Sequence, residues 1–364
     1  MASPNETLFW KKKELLSFIL SILVFFIHIS SFAQYSSNEG VISIVNERTA
    51  FFFKVALSFF SVPMFFIFSG ISFFKNYDNS QYLKKIKSRV FTLIIPYLLW
   101  NTIWTVFDIV CSYTFLSQYF MGRPKFVLTL ANVLRGIFLY GCNGPFWFIF
   151  NLILFSLAAP LVHLVVRNKY VGIASVCLLI ALNSRGMLSY AFTLFSPTSI
   201  TFYLIGAIIG EHYFDFAARK SSKTMQWSSM IFLLTYIILR NLFPTHPHSY
   251  KILLQAIVFP LVAFSLWNIT DMFIHKIKPK KIYSRSFAVY AMHVNFSAII
   301  TKLVFLCLPK SAWMAIPNFI ITVILTLSAI NFVCIFLEKF LPKVYSILMG
   351  KGLKYIKKTS KTAE

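Results

Sequence analysis

The chain has 364 residues, of which 58% are hydrophobic and only 13% are charged, with a mean hydropathy of +0.71. A soluble domain averages about 25% charged residues, so this composition excludes an ordinary soluble protein and indicates several crossings of a lipid bilayer. The net charge of +24 does not indicate a nucleic-acid partner, because the positive side chains concentrate in alternate loops between apolar segments.

Apolar segments recur at lengths that fit a bilayer, which a helix of about 20 residues crosses. They predict an all-α polytopic membrane helix bundle with about ten transmembrane helices, over residues 15–33, 51–74, 90–115, 144–166, 170–183, 192–213, 225–243, 252–270, 286–308 and 312–337. Of the 35 Lys and Arg residues, 25 lie in the loops on one side and 8 in those on the other. Because cytoplasmic loops carry this excess, both termini are predicted to be cytoplasmic.

This topology divides the chain into three parts. Residues 1–14 are predicted to be a cytoplasmic N-terminal segment, 15–338 a single transmembrane domain, and 339–364 a basic cytoplasmic tail. Within the transmembrane domain, Ser69-Gly70 is a place where two helix backbones can approach closely.

The first apolar segment contains a single ionisable side chain, that of His28. An ionisable group inside a membrane is costly and normally faces a bundle interior or a water-filled cavity. Histidine is also the side chain best suited to general-base catalysis near neutral pH. His28 is therefore a candidate catalytic residue, and the alternative is a structural histidine hydrogen-bonded to a neighbouring helix.

The third apolar segment places Asn101, Trp104 and Asp108 at spacings of three and four residues, and hence on one helix face. On a helix that begins at Arg89, Asp108 lies about 28 Å along the axis, a depth similar to that of His28. A carboxylate at this depth could orient the imidazole, as in nucleophile–base–orienter arrangements. The alternative is an aspartate exposed at the outer surface of the membrane.

A basic run that includes Lys85 and Arg89 precedes this segment at the predicted cytoplasmic mouth. It could bind a phosphorylated donor, or it could only reflect the positive-inside rule. Asn143, Trp147 and Asn151 then recur every four residues, and buried amides in a membrane need partners or a polar ligand. His293 lies in the inner half of the ninth segment, where it could face a ligand or be structural.

Taken together and in this order, these stretches resemble the acyltransferase family 3 membrane proteins. The resemblance covers about residues 12–340 and rests on FFIH, VPMFFIFSG, the basic run into LIIPYLLW, GPFWFIFNLI, FYLIGAIIGE and a late YAMH. It implies transfer of an acyl group, often acetyl, from cytoplasmic acyl-CoA to a hydroxyl group of a cell-surface glycan or lipid-linked sugar. It also implies a multi-pass protein of the bacterial cytoplasmic membrane, with acyl-CoA as co-substrate, no bound cofactor and no metal.

The resemblance makes His28 the catalytic residue, either as a base for the acceptor hydroxyl or as a transient carrier of the acyl group. Asp108 would orient its imidazole. The donor would be bound by Lys85, Arg89, Trp147, Asn151 and His293, and the acceptor by Asn101 and Trp104.

Three positions that often carry arginine in the family are occupied here by Ser17, Phe59 and Phe150. These departures leave room for two other readings of the same polar residues. One is a transporter or exporter of a glycan intermediate or small solute, and the other is a catalytically silent scaffold in a glycan-assembly complex.

Overall fold

The structure, a computed structural model, describes residues 3–35, 41–118, 125–185, 196–243, 254–278 and 280–351. Within these ranges the regular structure is helical and contains no strand. The helices are α1 Pro4–His28, α2 Ser31–Gln34, α3 Val41–Phe51, α4 Ser61–Phe74, α5 Tyr82–Arg89, α6 Ile95–Tyr113, α7 Leu130–Phe138, α8 Trp147–Leu157, α9 Ala159–Val166, α10 Lys169–Ser184, α11 Pro197–His212, α12 Phe214–Ala218, α13 Lys223–Leu242, α14 Phe259–Thr270, α15 Ser286–Cys307, α16 Ala315–Phe340 and α17 Pro342–Leu348.

Two kinds of short helical turn connect these elements. Five-residue π-helical turns follow α3 at Phe52–Ala56, precede α6 at Val90–Ile94 and precede α14 at Leu254–Val258. Turns of 3-10 helix occupy Asn79–Gln81, Phe115–Gln118, Gly144–Phe146, Lys281–Arg285 and Ala312–Met314.

Membrane-spanning length is reached by five helical segments in the described part of the chain, namely Pro4–Gln34, Val41–Phe74, Asn79–Tyr113, Lys281–Cys307 and Ala312–Phe340. A sixth would be the pair Gly144–Leu157 and Ala159–Val166, which bend by 70° against each other. The prediction of an all-α polytopic bundle is confirmed. Four further predicted segments contain the helices α10, α11, α13 and α14, and the count of ten stays a prediction.

The chain forms two compact units. The first comprises Met1–Tyr77 and Leu161–Val333, and the second comprises Asp78–Pro160 and Cys334–Glu364.

In the first unit, α4 and α11 pack backbone against backbone through glycines. A Cβ atom on Gly206 would lie 2.2 Å from the carbonyl oxygen of Ile67, and one on Gly70 would lie 2.3 Å from that of Tyr203. Gly206 and Gly210 form the G-x-x-x-G pattern that lets membrane helices approach closely. The close approach predicted at Gly70 is therefore present.

The first helix begins at Pro4, so most of the predicted cytoplasmic segment 1–14 belongs to α1. Lys12 is buried, and its Nζ lies 2.9 Å from Oδ2 of Asp271, with the two side chains 1% and 0% exposed. The backbone N–H and the hydroxyl of Ser221 donate to the same carboxylate oxygen over 2.9 and 2.8 Å. The buried ion pair of Lys12 with Asp271 thus joins α1 to the end of α14 within the first unit.

The second unit is organised around α6. Trp100 Nε1 donates to the carbonyl oxygen of Leu348 over 3.0 Å, so α17 packs on α6. The chain leaves α17 through Gly350, whose φ of +59° is the left-handed conformation that glycine tolerates. The first part of the predicted basic tail therefore contains a helix packed on α6, and residues 352–364 lie outside the described ranges.

Candidate functional site

The position of His28 is set by the end of α1. After His28 the backbone becomes extended at Ile29, with φ −74° and ψ 129°. Ile29 is fully buried in a cluster of mostly aromatic side chains that includes Phe25, Phe32 and Phe319. Burying this side chain stabilises the extended turn and leaves His28 as the last helical residue. Its own side chain is exposed at the edge of the cluster.

His293 lies directly beside His28. Their ring centroids are 5.2 Å apart, with an angle of 53° between the ring planes. His293 is fully buried, and its Nδ1 lies 2.8 Å from the carbonyl oxygen of Tyr290 and 3.1 Å from that of Val289. Because carbonyl oxygens only accept, Nδ1 must carry the proton, and the neutral ring then has a lone pair on Nε2. That Nε2 is buried and has no hydrogen-bond partner among the described residues.

The register between two parallel helices brings these histidines together. Phe18 of α1 contacts Tyr283 with ring centroids 5.8 Å apart, just before α15 begins. His28 and His293 each follow this first contact by ten residues, and both His28 and Phe25 of α1 contact the ring of His293. The chain therefore enters α15 at the level of Phe18, well along α1, and His293 reaches the level of His28.

A cation, Lys54, lies near the same imidazole. It belongs to the π-turn Phe52–Ala56 and is close enough for its charge to act on His28. The turn is held against α1 by the edge contact of Phe53 with Phe26, whose ring centroids are 5.7 Å apart. A π-turn adds one residue to a helical turn and is frequent at functional sites. From the sequence, Lys54 lies in the second predicted span near its outer end, where its ammonium could snorkel to the membrane surface, and its apolar neighbours give no sign of this contact.

In the second unit, the predicted donor-binding residues lie on two adjacent helices. Lys85 and Arg89 are four residues apart on α5 and share a face. The hydroxyl of Tyr82, at the start of α5, donates to the carbonyl oxygen of Leu157, at the end of α8, over 2.9 Å. The two helices therefore pack side by side with opposite directions, which brings Asn151 of α8 to about the level of Arg89.

Only one of the two polar groups of the Asn151 side-chain amide is hydrogen-bonded within the described ranges. Its Nδ2 donates to the carbonyl oxygen of Trp147 over 2.7 Å, within the same helix. Its Oδ1 is buried and has no hydrogen-bond partner among the described residues. A buried carbonyl oxygen without a partner is costly, so this atom is available to a polar ligand.

The predicted acceptor residues and Asp108 lie on α6, as their spacing indicated. Asn101 is fully buried, donates through Nδ2 to the carbonyl oxygen of Ile137 over 3.2 Å, and has an Oδ1 without a described partner. Trp104 is stacked on Trp100, with ring centroids 5.9 Å apart and 22° between the planes. Asp108 is partly buried near the end of the same helix.

The nine predicted site residues are thus divided between the units. His28 and His293 belong to the first, and Lys85, Arg89, Asn101, Trp104, Asp108, Trp147 and Asn151 belong to the second. The pairing of His28 with Asp108, and of His293 with Trp147 and Asn151, stays a prediction. Within the described ranges, no group of three or more His, Cys, Asp or Glu side chains is placed to hold a metal ion.

Residues 14–336 match the family model Acyl_transf_3, described as an acyltransferase domain. The chain belongs to this acyltransferase family. No curated protein and no solved structure matches it. The matched range covers nearly the whole chain and contains all nine predicted site residues, and the family makes the protein a membrane acyltransferase.

Proposed function

We propose that this acyltransferase moves an acyl group, with acetyl as the first candidate, from cytoplasmic acyl-CoA to a hydroxyl group of a cell-surface glycan or lipid-linked sugar. The membrane would be a bacterial cytoplasmic membrane, which the protein crosses several times. The observation that carries the proposal is the contact between His28 and His293, an accessible imidazole beside a buried one whose tautomer is fixed.

The reaction requires a hydroxyl group that becomes nucleophilic next to a thioester. In the proposed step, His28 accepts the proton of the acceptor hydroxyl while its oxygen bonds to the thioester carbon. The carbon–sulfur bond then breaks, and the CoA thiolate leaves and takes up the proton from the imidazolium. A positioned base of this kind typically contributes about 10² to 10⁴-fold to the rate.

His293 would act as a positioning residue. The lone pair on its Nε2 can accept an N–H from the ring of His28, at a spacing where a hydrogen bond of about 2.9 Å is in reach. This bond would keep the opposite nitrogen of His28 free to accept the substrate proton. It is the orienting role that the sequence assigned to Asp108, and because a neutral imidazole has a single N–H, only one of the two groups can fill it.

Lys54 would supply positive charge at the reaction centre. When the hydroxyl attacks the thioester, negative charge develops on the former carbonyl oxygen, and a fixed cation stabilises it. The resemblance places an arginine at Phe59, five residues after Lys54. A lysine in the π-turn is a different way to provide a cation near the imidazole.

The second unit would bind the two substrates. Lys85 and Arg89 would hold the phosphates of CoA, and Trp147 and the free Oδ1 of Asn151 would contact the thioester arm. Asn101 and Trp104 would contact the sugar through an amide oxygen and an aromatic face.

The experiment is free-thiol release from acetyl-CoA by the protein in nanodiscs, with and without a glycan acceptor. We expect His28→Ala to lower the rate by about 10² to 10⁴-fold. His293→Gln keeps an acceptor oxygen and should retain more activity than His293→Leu, with the difference in kcat rather than KM. His275→Ala, at an exposed position, is the matched histidine control and should have the wild-type rate.

Equal rates for wild type and His28→Ala would show that His28 is not the catalytic residue. Acetyl-CoA binding is tested separately by the thermal midpoint in detergent, because a ligand at 100 times its Kd stabilises by about 2.7 kcal/mol. The proposed donor would be overturned if acetyl-CoA did not raise the thermal midpoint and if none of the acyl-CoA compounds tested released a free thiol.

A further inference from the structure

The first unit contains a cavity of about 510 Å³ at the end remote from His28. Its walls are mostly apolar and include Ile67 and Ile71 of α4, Ile209 of α11, and Phe264 and Trp267 of α14. Sites for small ligands typically have volumes of about 300–1,000 Å³ and mostly apolar linings. The cavity is therefore large enough and apolar enough to hold a hydrocarbon chain.

The mouth of the cavity carries two positive charges. Arg219 and Lys220 line it and are both exposed. Neither side chain has an ion-pair or hydrogen-bond partner among the described residues. They lie between α12 and α13, in a loop that the charge distribution places on the cytoplasmic side of the membrane.

The loop that presents these cations is fixed on both sides. Before it, the carbonyl oxygen of Ala217 accepts a hydrogen bond of 2.9 Å from Trp267 Nε1. After it, Ser221 donates twice to the carboxylate of Asp271, which is paired with the buried Lys12. The hydrogen bonds of Ala217 and Ser221 thus hold Arg219 and Lys220 at the mouth of the cavity.

The cavity is separate from the proposed catalytic centre. Phe9 lines it, and His28 follows 19 residues later on the same uninterrupted helix, α1. At about 1.5 Å per residue, the separation along the helix axis is about 28 Å. A chain bound here would not deliver its own carbonyl group to His28.

We propose that this cavity binds one anionic phospholipid of the cytoplasmic leaflet. An acyl chain would lie between α4, α11 and α14, and the phosphate would lie between Arg219 and Lys220. The apolar walls match the chain, and the two cations, which have no partner in the described part of the protein, match the negative headgroup at the membrane surface. Each such cation contributes about fivefold in affinity for anionic lipid, so the two predict a preference of about 30-fold over a zwitterionic lipid.

The experiment titrates dimyristoyl phosphatidylglycerol into the full-length protein in detergent and counts bound lipids by native mass spectrometry. Dimyristoyl phosphatidylcholine, which has the same chains, reports the contribution of the headgroup. We expect one phosphatidylglycerol to bind about 30-fold more tightly than phosphatidylcholine. Glycerol 3-phosphate alone should not compete, since it lacks the chain.

Two variants separate the cations from the apolar walls. Arg219→Gln with Lys220→Gln should abolish the preference for phosphatidylglycerol and leave phosphatidylcholine binding unchanged. Ile209→Trp should fill the cavity and abolish binding of both lipids, and Ile205→Trp replaces it if its thermal midpoint shows misfolding. The matched control, Lys276→Gln with Lys278→Gln, removes two exposed charges outside the cavity and should bind as wild type does.

Three results would overturn the proposal. They are equal affinity of the wild type for the two lipids, an unchanged preference in the Arg219 and Lys220 variant, and displacement of the lipid by an equal concentration of acetyl-CoA. The last result would assign the cavity to the acyl donor.

Discussion

Replacing Lys12 with methionine removes one half of an ion pair that is buried on both sides. The ammonium lies 2.9 Å from Oδ2 of Asp271, and the side chains are 1% and 0% exposed. The ammonium also lies 4.2 Å from the ring centroid of Trp267. Methionine nearly preserves the volume of lysine, so Lys12→Met isolates the loss of charge and leaves the carboxylate of Asp271 buried without its cation.

The expected cost follows from the burial. Removing one partner of a buried ion pair typically costs about 3–5 kcal/mol, because the remaining charge is left uncompensated. The hydrogen bonds from Ser221 to the carboxylate remain, but Oδ1 of Asp271 already has no partner among the described residues. We therefore expect Lys12→Met to lower the free energy of unfolding by about 3–5 kcal/mol.

A second substitution should restore much of this loss. Asp271→Asn removes the buried negative charge and retains an oxygen that can accept from Ser221. Since an ion pair replaced on both sides by neutral groups is often close to neutral in stability, the double variant should lie within about 1 kcal/mol of wild type. The double-mutant cycle should then show a coupling energy of at least about 2 kcal/mol.

The assay is reversible unfolding in mixed micelles, followed by tryptophan fluorescence. Lys11→Met is the matched control, because within the described ranges the neighbouring Lys11 donates to one acceptor, the carbonyl oxygen of Ile274, over 3.0 Å. Loss of one such hydrogen bond costs about 0.5–1.5 kcal/mol. A cost of less than about 1 kcal/mol for Lys12→Met, or simple additivity of the two substitutions, would show that Lys12 and Asp271 do not form a buried ion pair.

Three further predictions concern helix packing, the end of α1 and topology. Gly206→Ala should destabilise by about 1–3 kcal/mol in the same unfolding assay because its Cβ meets the Ile67 carbonyl oxygen, whereas Gly144→Ala, with no atom within 4 Å of its Cβ, should not. Ile29→Ala should cost about 2–5 kcal/mol and also lower acyl transfer, since it loosens the turn that ends α1 at His28; full activity with that loss of stability would separate the turn from the site. A variant with Cys307 as its only cysteine should react with an impermeant maleimide from outside intact cells, because this exposed residue ends the ninth predicted span; reaction only after permeabilisation would reverse the topology.

Much of the architecture could be predicted because a membrane restricts what a chain can do. In lipid, backbone polar groups must be satisfied within the segment, so long apolar runs become helices and their ends follow the polar loops. Gly70 of α4 could be singled out for the same reason, since close packing of membrane helices requires small side chains. His28 could be singled out because it is the only ionisable residue in residues 15–33.

The contacts of these residues could not be predicted, because they depend on register between distant helices. His28 and His293 meet only because the chain enters α15 at the level of Phe18. The position of a residue within an apolar segment gives its depth in its own helix. It does not give the offset of one helix relative to another along their axes. The unpartnered Oδ1 atoms of Asn101 and Asn151, identified within the described ranges, likewise could not be predicted without the positions of their neighbours.

The run of lysines at 11–13 shows the same division. The count of charged residues placed all three on the cytoplasmic side, and three identical residues gave no reason to distinguish one of them. On a helix with about 3.6 residues per turn, however, three successive side chains point in directions about 100° apart. The sequence alone determined that this is a helical membrane acyltransferase with one histidine in its first apolar segment. Only the packing of α1 against α14 decided that Lys12 is the lysine that points inward, to a carboxylate 259 residues away.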